Sequence, residues 1–126
     1  MSNLNSVEIK AFVPAKDFEL SKQFYRDLGF TMASEGGGVA YFHCGPSSFL
    51  LQDFYVQALA DNLMMHWLVE DVDAWWQQVQ NSGVVERYGA RYGVRCGATE
   101  QQPWRMHDFS LTDPSSVLWR IAQHSD

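Results

Sequence analysis

Asp17-Phe18-Glu19-Leu20-Ser21-Lys22-Gln23-Phe24-Tyr25-Arg26-Asp27-Leu28-Gly29-Phe30 and Asp71-Val72-Asp73-Ala74-Trp75-Trp76-Gln77-Gln78-Val79-Gln80-Asn81-Ser82-Gly83-Val84 are two statements of one pattern. Each opens on Asp, an apolar residue and an acid, and each reaches Gly twelve positions after its first Asp, at an offset of 54. A second pair follows in the same order: Pro46-Ser47-Ser48-Phe49-Leu50 returns as Pro114-Ser115-Ser116-Val117-Leu118, at an offset of 68. Two matched segments in one order indicate an internal duplication, which decides architecture before any local reading. The offset grows by 14, which places extra residues in the second half, in the Gly-rich stretch Tyr88–Gly97.

Local patterns agree within each half. Asp17 and Asp71 are N-caps, with Glu19 and Asp73 favourable in the first turn. Leu20, Phe24 and Leu28 recur every four residues, while Val72, Trp75, Trp76 and Val79 follow the i, i+3, i+4, i+7 spacing of a core-facing helix. Gly29 and Gly83 are C-terminal stops. Val7–Ala15 and Leu63–Val69 read as strands ahead of the helices. Val39–Cys44 and Phe49–Tyr55 form a hairpin, matched by Phe109–Thr112 and Val117–Gln123. Each half is therefore βαβββ, an α+β fold with one helix covering one face of a small sheet. The modules span about residues 5–60 and 61–124 of a single domain, 1–126.

Composition narrows the function. Nine Lys+Arg against 15 Asp+Glu give a net charge of -6, which argues against nucleic acid and anionic membrane as partners, since both need a basic footprint. The longest apolar run is far short of the ~20 residues of a membrane helix. Met1–Ala15 lacks the pattern of a signal peptide. Two cysteines, Cys44 and Cys96, are too few for a disulfide framework. A cytoplasmic protein with free thiols is expected. Aromatics make up 14%, more than so small a core demands. There is no GxSxG, P-loop, GxGxxG or HExxH, and Cys44 beside His43 would point to the opposite strand face.

The run Phe12-Val13-Pro14-Ala15-Lys16-Asp17, then Ser21 and Phe24-Tyr25-Arg26-Asp27-Leu28-Gly29-Phe30, resembles the opening of the vicinal oxygen chelate superfamily, which includes glyoxalase I, extradiol dioxygenases and bleomycin-resistance proteins. Val69-Glu70-Asp71-Val72-Asp73 resembles its second strand-to-helix junction. Gln102-Pro103-Trp104, Phe109, Leu111, Asp113-Pro114 and Trp119 resemble its closing signature. The resemblance implies paired βαβββ modules whose U-shaped mixed sheet surrounds a cavity, a homodimer, and in the enzymes one divalent metal held by four His, Glu or Gln side chains. Those slots map to Lys10, Gln52, Met64 and Arg120. Lys and Arg carry donors only, and a Met thioether suits soft ions, so one usable ligand in four is left and no metal or other cofactor is expected. A shifted site would have to recruit His66 with His43 or His107.

Strand alternation assigns the cavity lining. Lys10, Phe12, Leu50, Gln52, Phe54, Met64, His66, Leu118 and Arg120 face the concave side, and Trp104 is a candidate lid over a planar ligand. Ile9, Ala11, Val13, Leu51, Met65, Trp67, Trp119 and Ile121 face the helices. Glu8 is one candidate partner for Lys10; an anionic ligand held by Lys10 and Arg120 is the other. A bleomycin-resistance-like binding protein is the leading expectation: metal-independent, sequestering or sensing a small organic molecule. The floor cations and the Asp113-Pro114-Ser115-Ser116 turn, in place of the usual Asp-Pro-Asp-Gly, depart from that branch. The alternative is a glyoxalase-type lyase, isomerase or dioxygenase with a shifted metal or His66 as catalyst. A third is a structural module whose dimer face is its function.

Overall fold

The computed structural model describes residues 2–125. The first module runs β1 (Phe12–Pro14), α1 (Phe18–Leu28), β2 (Thr31–Gly36), β3 (Val39–Cys44) and β4 (Ser47–Gln52); α2 (Gln57–Ala60) leads to the second. That module runs β5 (Met64–Leu68), α3 (Val72–Ser82), α4 (Val84–Tyr92), β6 (Glu100–Gln102), β7 (Met106–Thr112) and β8 (Leu118–His124). The two modules build matching four-stranded mixed sheets, ordered β1-β4-β3-β2 and β5-β8-β7-β6. In each, the first strand lies parallel to the last and the other pairs are antiparallel. This is the duplicated α+β architecture that the repeat implies.

The helix signals act as read. Asp17 accepts from Leu20 N–H at 3.1 Å and Asp71 from Ala74 N–H at 3.0 Å, each satisfying a donor that a helix start leaves free. Gly83 ends α3 at φ 75°, a left-handed conformation that glycine adopts without steric cost. Two expectations need correction. The second module has two helices where one was expected, and the Gly-rich stretch Tyr88–Gly97 that carries the extra residues includes the end of α4. Val84 and Tyr88 are buried there, and Val84, Val85, Tyr88 and Tyr92 keep a helical spacing through Gly89. The first strand is also far shorter than Val7–Ala15. Its ladder ends where Leu50 N–H meets Ala11 O, and Ile9 is 95% exposed rather than packed on a helix. Continuing the Phe12–Leu50 register would set Lys10 opposite Ser48, but the Ser48 side chain there bonds Glu8 and the backbone ladder stops at Ala11.

The core is aromatic and spans both modules. Phe24, Tyr25, Phe42 and Phe49 from the first meet Trp67 and Trp119 from the second, with Phe30 4.8 Å from Trp67 between ring centroids and Phe49 5.2 Å from Trp119. Each fully buried ring stabilises the fold by roughly 2–3 kcal/mol through area alone. At its centre, Tyr25 O–H donates to Asp113 Oδ2 at 2.6 Å and accepts from Trp119 Nε1–H at 2.9 Å. Asp113 Oδ1 accepts from the N–H groups of Ser115 and Val117 at 2.8 and 2.9 Å. This network ties α1 to the β7–β8 turn and fixes how the modules meet.

Burial is the main cause that pushes the Asp113 carboxyl up to about 6, against the hydrogen bonds that favour its charge. Its folded value lies above its unfolded one, so its contribution to stability is full in acid and is lost as pH rises through about 6. Asp113→Asn leaves the Tyr25 hydroxyl without an acceptor and should cost about 1–3 kcal/mol at pH 5. The cost should shrink by pH 7.5, because only the wild type then carries a buried charge. Urea unfolding of both proteins at the two pH values checks this; an equal difference at both would contradict it.

Candidate functional site

Each sheet buries one face and leaves the other free of helices. Paired residues share a face, so the ladder registers group the side chains into rows. On the open face of the first sheet, Phe12, Leu50 and Tyr41 form one row and Ser48, His43 and Thr31 another. On the second, Met64, Leu118 and Thr112 form a row, and His66, Arg120 and Ser110 the next. The alternate residues Leu51, Trp67, Trp119 and Ile121 are buried in the core. Phe12, Met64 and Leu68 remain 52%, 54% and 48% exposed in the single chain, large apolar side chains left in solvent on otherwise closed sheets.

The four slots that the resemblance assigns to a metal are not equivalent in the two ladders. The first and last strands pair two residues differently in the two modules: Phe12 with Leu50, but Met64 with Leu118. Arg120 therefore lies opposite His66 and not Met64, while Lys10 falls before β1 begins. The donor chemistry fits no better than the geometry, since Lys10 and Arg120 bring no lone pair. His107 shares the helix side with Phe109 and Leu111, so it cannot meet His66 across the open face. Among the described residues no three His, Cys, Asp or Glu side chains come together as a metal site. No chemical step is assigned to a metal.

Both floor cations have carboxylate partners, Glu8 being the one expected for Lys10 and Asp108 one not foreseen for Arg120. Lys10 lies 3.0 Å from Glu8, which Tyr41 and Ser48 also hydrogen-bond; those bonds, Ser48's foremost, hold the Glu8 carboxyl below its usual range. Arg120 lies 3.3 Å from the buried Asp108, which in turn accepts from Gln102 Nε2 at 3.0 Å. Asp108 lies outside the Phe109–Thr112 strand that the sequence predicts, and its partner is set by β7–β8 register. Phe54 lies beyond the end of β4, and Trp104 is an exposed residue of the β6–β7 turn next to Arg105, whose φ is 61°.

Of the expected lining residues, His66 reaches the crevice between the sheets. This cavity of about 320 Å³ is bounded by Ser47 and Ser48 on one side and by Met65, His66, Trp67 and Trp119 on the other, with Phe30 and Phe49 at its base. The sequence assigned Trp67 and Trp119 to the core alone. Their rings do pack there, and their edges also wall the seam, a second role that alternation cannot express. Burial pushes the Cys44 and Cys96 thiols up, which leaves little thiolate for nucleophilic chemistry. No helix is long and apolar enough to cross a membrane.

Solved structures share this arrangement. A bleomycin-binding protein complexed with bleomycin matches at a TM-score of 0.80 and 22% identity, over 95% of this chain and 100% of that one. A bleomycin resistance determinant encoded on the transposon Tn5 matches at 0.80 and 22%, over 94% and 98%. TnmS3, an antibiotic binding protein from Streptomyces sp. CB03234, matches at 0.73 and 23%, over 98% and 100%. At these identities the likeness concerns the fold. No curated protein sequence matches the chain. The family model for the glyoxalase/bleomycin resistance protein/dioxygenase superfamily matches residues 4–121, and with the duplicated modules already described it establishes that the chain belongs to that superfamily.

Proposed function

We propose that the protein is a metal-independent binding protein for a small, planar organic molecule, held between the open sheet faces of a homodimer. The observation that carries this reading is three large apolar side chains, Phe12 on the first sheet and Met64 and Leu68 on the second, about half exposed on faces that no helix covers. Isolated surface hydrophobes need no explanation, but several on the open sheet faces, with Leu68 lining the aromatic crevice, suit a ligand or partner surface. A second copy offers the same faces, so a two-fold arrangement buries both at once. Since Lys10 and Arg120 are paired, the floor offers polar orientation without a large net charge. That favours a neutral or weakly charged ligand over an anion. Binding of bleomycin or another antibiotic by structural neighbours supports the class and leaves the ligand open.

Native mass spectrometry of untreated protein should give twice the 14.4 kDa chain mass, with any retained organic molecule as a further increment. Met64→Asp places a charge on the open face and should yield a monomer with unchanged far-ultraviolet circular dichroism. A wild-type monomer at micromolar concentration would contradict the dimer. Ligand binding is read separately from intrinsic tryptophan fluorescence, to which Trp67 and Trp119 at the crevice contribute with Trp75, Trp76 and Trp104. Metal-free bleomycin, used as an aromatic probe, should quench it saturably in the wild type and at least about tenfold more weakly in Met64→Asp, a loss of ~1.4 kcal/mol. Quenching unaltered by that substitution would place the ligand elsewhere.

A further inference from the structure

A second cavity, of about 490 Å³, lies where the modules meet, and none of its lining belongs to the open sheet faces. Four separated segments build it. The β1–α1 junction gives Lys16, the loop after β4 gives Tyr55, the end of α4 gives Arg91 and Tyr92, and the β7–β8 turn gives Ser115 and Ser116. Lys16 Nζ sits 5.6 Å from the Tyr55 ring centroid and the Arg91 guanidinium 5.5 Å from that of Tyr92. Among the described residues neither cation has a carboxylate within 4.0 Å, in a chain where acids outnumber bases. Asp17 also lines the cavity, with its Oδ1 engaged by Leu20 N–H as the α1 cap.

The turn supplies two further observations. Ser115 is 2% exposed, and its Oγ accepts from Lys16 N–H at 2.9 Å, so its own O–H remains available to donate into the cavity. Ser116 holds φ at 73°, where glycine is the easy residue and a serine is strained by about 1 kcal/mol or more. Strain of this kind persists where surroundings over-determine the backbone, and such positions concentrate at ligand contacts. Two unpaired cations, a free buried hydroxyl donor and two tyrosine rings form a set that complements one ligand chemistry. Cations and hydroxyls suit a dianionic tetrahedral head group, and the rings suit a flat body attached to it.

We propose that this cavity binds phosphomonoesters that carry a planar ring, with Lys16, Arg91 and the serine hydroxyls on the phosphate and Tyr55 and Tyr92 on the ring. The site is independent of the open faces. Isothermal titration of the full-length protein with phenyl phosphate, inorganic phosphate and phenol tests it. Phenyl phosphate should bind with a dissociation constant of about 0.1 mM, inorganic phosphate about tenfold more weakly, and phenol without saturation. Arg91→Gln and Lys16→Gln should each weaken phenyl phosphate about tenfold. Arg95→Gln removes an exposed cation outside the cavity and should leave binding unchanged, as should Met64→Asp. Absence of saturable heat from phenyl phosphate, or an equal loss in Arg95→Gln, would overturn the site. Equal affinity for phenyl and inorganic phosphate would overturn the ring contact.

Discussion

The Asp113 carboxylate, buried and held by one phenol and two backbone N–H groups, is the constraint on which the two-module arrangement depends. A carboxylate removed from water is costly unless its lone pairs are satisfied, and here the donors come from both modules. Tyr25 reaches it from α1, while Ser115 and Val117 reach it from the turn it belongs to. Trp119 completes the set by donating to Tyr25, so the same hydroxyl is donor to one module's turn and acceptor from its last strand. A slip between modules would leave several buried polar groups unpaired at once. The aromatic core around them contributes most of the stabilisation but is less particular about geometry, since hydrophobic contact has no direction.

From that fixed junction the surfaces follow. The aromatic rings that seal the core also set the crevice at the seam, and the β7–β8 turn that presents Asp113 inward presents Ser115 and Ser116 to the cavity on the other side. The two concavities are thus coupled to one buried network while differing in chemistry. The seam is walled by aromatic rings, and the open faces mix apolar and polar side chains whose cations Lys10 and Arg120 are paired. The junction cavity keeps its cations uncompensated. Net charge is a poor guide to either, because a total of -6 says nothing about where the nine cations find partners.

Much of the fold was legible because its signals are local. Asp17 and Asp71 cap helices through contacts three residues away, and Gly83 stops one through its own backbone freedom. Alternation likewise separated Leu51, Trp119 and Ile121 from Leu50, Leu118 and Arg120 correctly, since a pleated strand has only two faces. The site was less legible. The equivalence drawn between Lys10 and Met64 fails in ladder terms by two residues, and parity alone cannot detect a shift by two because it preserves the face. Lys10 and Ile9 read as strand residues, but the backbone ladder to β4 stops at Ala11 although β4 itself continues to Ser47. Helix α4 was not read from the sequence, because the burial of Val84 and Tyr88 that favours it is supplied only by packing.

The sequence by itself determined the duplication, the helix limits and the face each strand residue takes, because each rests on spacing and on contacts a few residues apart. The tertiary structure alone decided which charges are neutralised and which residues share a concavity. Arg120 meets Asp108, and Lys16 meets Arg91 across one cavity, only once strand register and the packing of α4 are fixed. Those are long-range relations, set by which surfaces bury best together, and no local pattern in the chain encodes them one residue at a time.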